Sequence, residues 1–129
     1  MKKIIILSLL LYCQTFVMAQ TKPSATATIK LSDCGLEVRT TDEPESLSWY
    51  DAKAKCESIG EGWRMPTKPE LDCLFKNKEK IGGFKRDWYW SGEKVGDWNV
   101  WVQSFSNGKQ FGYSGSNSAK LRVVRTMKK

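Results

Sequence analysis

Between Trp88 and Tyr113, eight aromatic residues fall within 26 positions: Trp88, Tyr89, Trp90, Trp98, Trp101, Phe105, Phe111 and Tyr113, interleaved with Gly, Ser and Asn. Aromatic side chains suit a half-buried pleated surface, and Gly, Ser and Asn supply the turns between short strands. The runs "VWVQSF", "SNGKQ" and "FGYSG" read as a hairpin turning at Asn107-Gly108, a dipeptide that tolerates the positive φ such turns require. "KLRVVRTM" reads as a closing strand. This half of the chain is therefore expected to form short antiparallel strands.

The preceding half carries helix signals. "GLEVR" (Gly35 to Arg39) alternates apolar and charged residues like a first strand, and "TTDEPES" is an acidic loop. A helix is expected from Ser48, whose hydroxyl can cap it with Asp51 three residues on. Trp49, Ala52, Cys56 and Ile59 share its inner face; Asp51 with Lys55 and Lys53 with Glu57 are spaced to pair outside. Gly60 and Gly62 end it. The stretch "EGWRMPTKPELDCL" (Glu61 to Leu74) then holds a second helix start, with Thr67 and Glu70 at capping-box spacing and Pro69 in the first turn. Leu71, Leu74 and Phe75 form its inward stripe, and Cys73 lies off it, placed for a disulfide or an exposed thiol. Helices followed by antiparallel strands make an α+β domain.

The first nineteen residues read as a secretory signal peptide. Lys2 and Lys3 precede an apolar core, Ile4 to Leu11, too short for a bilayer span, and Val17-Met18-Ala19 supplies a cleavage site. Cys13 resembles a lipidation site, but Tyr12 stands where a small residue is wanted. No membrane span is expected after signal removal, and the chain is expected to be exported: periplasmic, on the cell surface or secreted. Residues 20–30 read as a flexible lead-in, and residues 31–127 as one domain. Of the three remaining cysteines, Cys34, Cys56 and Cys73, two are expected to pair in an oxidising compartment.

The full chain has a formal net charge of +7, and +5 once Lys2 and Lys3 leave with the signal. That balance favours anionic partners such as acidic glycans, while export argues against nucleic acid. There is no histidine, which removes Ser–His and Cys–His nucleophile systems and any zinc site built on imidazole. The acids Glu57, Glu61, Glu70, Glu93 and Asp97 show no spacing that singles out a hydrolytic pair. No enzyme, metal or cofactor is expected.

The segments "LSWYDAKAKC", "GWRMPTKPEL", "YWSG", "WVQSFSNGK" and "LRVVR" follow one another in an order and spacing that resemble the bacterial Lcl C-terminal domain family. The match covers roughly residues 35–126. It implies a C-type-lectin-like fold, whose signature includes Trp49, Trp63, Arg64, Pro66, Thr67, Glu70, Leu71, Tyr89, Trp90, Trp101, Phe105, Arg122 and Arg125, and in which Trp63, Pro66, Leu71, Trp90, Trp101 and Val124 are mostly packing. Arg64 and Glu70 are expected to be ion-pair or hydrogen-bond partners. Where relatives often carry a cysteine between the last two arginines, this chain has Val123 and Val124. Cys56 is thus either a buried free thiol or paired with Cys34 or Cys73. "DWN" (Asp97 to Asn99) has residues of the lectin calcium motif in another order, and a turn capped by Asp97 is expected instead.

Ligand contacts are expected from the aromatic segment, where rigid rings and small polar residues combine. Trp98 and Tyr113 would stack, with polar contacts from Asn99, Gln103 and Asn117. Lys85, Arg86, Lys109, Lys120 and Arg122 would frame an anion-binding patch only if the fold brought them together. The expected function is an adhesin-like binding module for a glycan or protein ligand outside the cytoplasm. The alternative is a structural subunit of a surface complex, held by a protein interface.

Overall fold

A computed structural model describes residues 26–128. The signal peptide and the first part of the lead-in lie outside the described residues. Strand β1 (Thr28–Leu31) leads through a single 3-10 turn (Ser32–Cys34) into β2 (Leu36–Arg39). Helices α1 (Trp49–Ile59), α2 (Lys68–Lys76) and the one-turn α3 (Lys78–Ile81) follow. Strands β3 (Trp88–Lys94), β4 (Asn99–Ser104), β5 (Gln110–Ser114) and β6 (Val124–Thr126) complete the chain.

The helix starts are those expected. Ser48 accepts from the Asp51 N–H at 3.1 Å. At α2 the capping box is complete: Thr67 Oγ1 accepts from Glu70 N–H, and Glu70 returns a carboxylate to Thr67 N–H at 2.9 Å. Each satisfies an otherwise orphaned first-turn donor. The charge pairs expected along α1 are not those formed, because Lys55 reaches Glu43 at 3.6 Å in the acidic loop.

Two three-stranded antiparallel sheets form, ordered β1-β2-β6 and β3-β4-β5. The first joins the two ends of the domain, with Val38 opposite Val124. The second contains the expected hairpin: Val102 lies opposite Phe111, and the Asn107-Gly108 turn is closed by Gly108 N–H to Ser104 O at 2.8 Å. One core fills the space between α1 and one face of this sheet, with Trp49, Ala52, Cys56, Trp90, Val102 and Leu121 buried. The other lies between α2 and the first sheet, with Leu31, Val38, Leu71, Leu74, Tyr89 and Phe105 buried. Strand alternation explains the split, since Tyr89 and Trp90 point to opposite faces.

Cys34 and Cys73 form a disulfide that ties the 3-10 turn to α2, and Cys56 is a buried free thiol. Arg64 and Glu70 pair through two bonds of 2.6 and 3.0 Å. Arg125 pairs with Glu37 at 2.8 Å and lies over the Trp63 ring.

Four further expectations about the fold require correction. Residues 28–30 are strand rather than flexible lead-in; the β-branched pair Thr28-Ile29 extends β1, so the ordered sheet begins three residues before the expected boundary. The closing strand is short, because Ala119 and Lys120 make only isolated bridges to Leu47 and Tyr89. Trp101 is only partly buried; it lies on the sheet face turned to α2, with Lys68 Nζ 3.5 Å from its ring centre. The β3–β4 turn is closed by Val95 N–H to Asn99 O at 2.8 Å, a main-chain lock in place of an Asp97 cap.

Candidate functional site

The aromatic residues left over from the core gather along β5. Trp88 from β3 leans across the sheet to meet Phe111 at 5.1 Å and Tyr113 at 4.9 Å between ring centres, both edge to face. Tyr113 also touches buried Trp90 at 5.7 Å, which anchors the cluster to the first core. Beyond Tyr113 the row continues through Gly115, where a side chain would meet the Tyr50 ring at 3.3 Å. Tyr50 is fixed by its neighbour Trp49, edge to face at 5.5 Å, and Trp49 N–H donates to Gly115 O at 2.9 Å. Edge-to-face geometry suits the ring quadrupoles and holds each ring at a fixed angle.

Trp98 stands at the end of this row. Its carbonyl accepts from Gly115 N–H at 3.0 Å, one rung beyond the Val100–Tyr113 pair, while its side chain is 76% exposed. The backbone is thus locked and the indole is free. Trp88, Tyr50 and Val95 are the other large exposed apolar residues among those described. Asn99 and Asn117 flank them, both exposed, with Asn117 N–H donating to Ser114 O at 3.0 Å.

The structure therefore brings Trp98, Tyr113 and Asn117 to one end of the β3-β4-β5 sheet, whereas Asn99, at the same end, points to the face of Trp101 and Gly112, opposite Tyr113. It withdraws Gln103, which is fully buried on the opposite face. Its amide donates to Asp72 at 3.0 Å and to Gly108 O at 3.0 Å, and its carbonyl accepts from Gln110 at 3.1 Å. Gln103 ties β4 to α2 and to the hairpin turn, and is not a ligand contact. Tyr50 and Trp88 are the residues that sequence reasoning missed. Tyr50 follows inward-facing Trp49 by one helical step of about 100°, which turns it outward. Trp88 could be found by alternation only after the pairing partner of β3 was known.

The five basic residues do not form one patch: Lys85 and Lys120 share a cleft of about 290 Å³ with the acids Asp42 and Glu43. Arg122 is 1% exposed and committed to Asp42 at 2.8 Å, with its Nη1 donating to the carbonyls of Arg39 and Gly82. Asp42 also accepts from Tyr89 Oη at 2.7 Å, and burial and this carboxylate hold the phenol protonated. Lys85 and Arg86 line a cleft of about 330 Å³ beside Gly82 and Gly83, together with Lys78 and Glu79.

A larger groove of about 510 Å³ runs between α1 and β3, past Trp49, Cys56, Trp63 and Glu93. The rings in its wall already carry the protein's own cations: Lys94 sits 5.4 Å from Trp49, and Arg39 and Arg125 sit 4.9 and 4.5 Å from Trp63. Burial, helped by nearby Glu43, pushes the Cys56 thiol up to about 11, so it is not a nucleophile. Among the described residues no cluster of three or more acids and cysteines is arranged to hold a metal ion, and no helix is long and apolar enough to cross a membrane.

Several solved structures share this arrangement at low sequence identity. Botrocetin matches at a TM-score of 0.57 and 14% identity, over 83% of this chain and 100% of its own. The snake venom toxin convulxin matches at 0.57 and 12%, over 84% and 99%. EMS16, an antagonist of the collagen receptor integrin α2β1, matches at 0.55 and 13%, over 82% and 100%. Botrocetin bound to the von Willebrand factor A1 domain matches at 0.53 and 13%. The fold is α+β and C-type-lectin-like. No family model and no curated protein sequence matches the chain.

Proposed function

We propose that this chain is an exported, non-catalytic binding module, of the kind the Lcl C-terminal resemblance implies, that recognises a glycan or protein ligand outside the cytoplasm. The observation that carries the reading is Trp98: a 76% exposed indole on a main chain locked by hydrogen bonds. A rigid aromatic loses little conformational entropy when a ligand covers it, and the water it releases favours binding. Tyr113 supplies a second ring, and Asn117 supplies a side-chain amide for orientation. The internal disulfide fits an oxidising compartment.

A broad glycan-array screen of the exported protein, repeated with a chelator and with added salt, tests the ligand class. Trp98→Ala is expected to weaken binding about ten-fold or more, the loss typical of a central aromatic contact. Unchanged binding by folded Trp98→Ala and Tyr113→Ala proteins would remove this site. A second reading, an assembly subunit held by a protein interface, is favoured by the shape of the surface. Trp98, Tyr50 and Trp88 form an open row rather than a pocket, and botrocetin, of similar fold, was solved in complex with a protein domain. A blank array with stable co-purification of an envelope protein would select it.

A further inference from the structure

Strand β5 ends the β3-β4-β5 sheet, so one of its edges has no strand partner among the described residues. The bonds from Gly115 N–H to Trp98 O and from Ser104 N–H to Lys109 O bracket the ladder and set its phase. Phe111 and Tyr113 therefore spend their peptide groups on β4, while those of Gln110 and Gly112 point outward. Exposed edges are normally blunted by proline, charge or a bulge. Here none is used: β5 reads Gln-Phe-Gly-Tyr-Ser, and no charged residue occurs from Gln110 to Ala119, although the chain carries 21 basic and 14 acidic residues. The register irregularity of this sheet lies in the β3–β4 pair instead.

We propose that this edge pairs with β5 of a second copy of the chain, antiparallel about a two-fold axis at Gly112. Centring the axis there exchanges two hydrogen bonds between the Gly112 peptide groups and joins two sheets into one of six strands. The same register sets Phe111 opposite Tyr113 of the other copy, and Tyr113 opposite its Phe111, on the face that already carries Trp88. Aromatic cross-strand pairs at such non-hydrogen-bonded positions are close and favourable. The partner is argued from charge. Two copies of a basic protein repel, and this edge is the uncharged stretch along which they can meet without opposing like charges. A side chain at Gly112 would make only ordinary contacts, at 3.4 Å to Val95 and 3.7 Å to Asn99, so the position can be substituted without disturbing the fold.

Sedimentation equilibrium of the exported protein and of Gly112→Lys and Gly112→Asp tests this pairing. The native mass is expected to double as concentration rises, and each variant to shift that transition about ten-fold or more upward, because like charges then face each other across the axis. An equimolar mixture of the two variants is expected to restore the dimer, which a merely misfolded strand would not do. A native protein monomeric up to about 1 mM, where any pairing tighter than roughly 4 kcal/mol would show, overturns the proposal. So do variants that associate like the native chain, and a mixture that stays monomeric. Trp98→Ala, unlike Tyr113→Ala, is expected to leave the mass unchanged, so this test and the Trp98 test of the ligand site fail separately.

Discussion

Arg122 shows how far a single residue's role can depart from its type. In sequence it is both a residue of the fold signature and one of five cations that could frame a patch; in the fold it is a buried post joining Asp42, Arg39 and Gly82, with Phe84 stacked 3.8 Å from its guanidinium. Arg122→Ala leaves the mostly covered Asp42 carboxylate without its ion partner and empties a fully buried site, and is expected to cost about 3 kcal/mol, read from denaturant unfolding. Arg64 and Glu70 behave as their motif implies. Burial pushes the Glu70 carboxyl up, but the Arg64 guanidinium and the Thr67 N–H more than offset it and hold it below its ordinary 4.5. A group depressed on folding stabilises above its unfolded value and loses that contribution as pH falls through the folded one. Stability is therefore expected to decline as pH drops below about 4.5, and less steeply in Glu70→Gln, as thermal unfolding across that range would show. Cys56 is expected to resist iodoacetamide at pH 8 in the folded protein and to react once unfolded, because its thiol is both buried and raised to about 11.

The helix starts were the most legible elements, because capping is local chemistry. Thr67, Pro69 and Glu70 lie within four residues, and the bonds they make need nothing from the rest of the chain. Thr67→Ala is expected to lower stability by about 1 kcal/mol, measurable as a shift in the denaturation midpoint. The strands were legible as a hairpin around Asn107-Gly108 and much less so at the termini. The composition of residues 20–30 suggested a lead-in, but β1 exists because Thr28 to Leu31 can pair with β2, a partner that composition does not reveal. The Cys34–Cys73 bridge links parts of the chain 39 residues apart. Removing it with Cys34→Ala and Cys73→Ala together is expected to cost about 2–4 kcal/mol, chiefly by freeing the unfolded chain.

At the scale of the whole molecule, the two ends meet in one sheet. β6 pairs with β2, Arg64 N–H donates to Val124 O at 2.8 Å, and Met127 N–H donates to Gly35 O at 3.0 Å. A chain ended after Val123 loses β6 and the Arg125–Glu37 pair together, and is expected to give no cooperative unfolding transition in circular dichroism. Both cores depend on this closure, since Val124 belongs to one and its neighbour Val123 to the other.

Local patterns alone determined the α+β class, both long helices with their caps and the hairpin, because each rests on interactions between near neighbours in the chain; the Arg64–Glu70 pair came from the family resemblance. Tertiary structure decided which cysteine stays free, which aromatics face water and which polar residues are buried. Trp98, Trp101 and Gln103 lie within six residues of strand and turn; in sequence Trp98 and Gln103 look equally available and Trp101 looks like packing. One is exposed, one lies beneath Lys68 and one is sealed against α2. Alternation tells only that neighbours face opposite ways; which face is covered depends on helices distant in the chain.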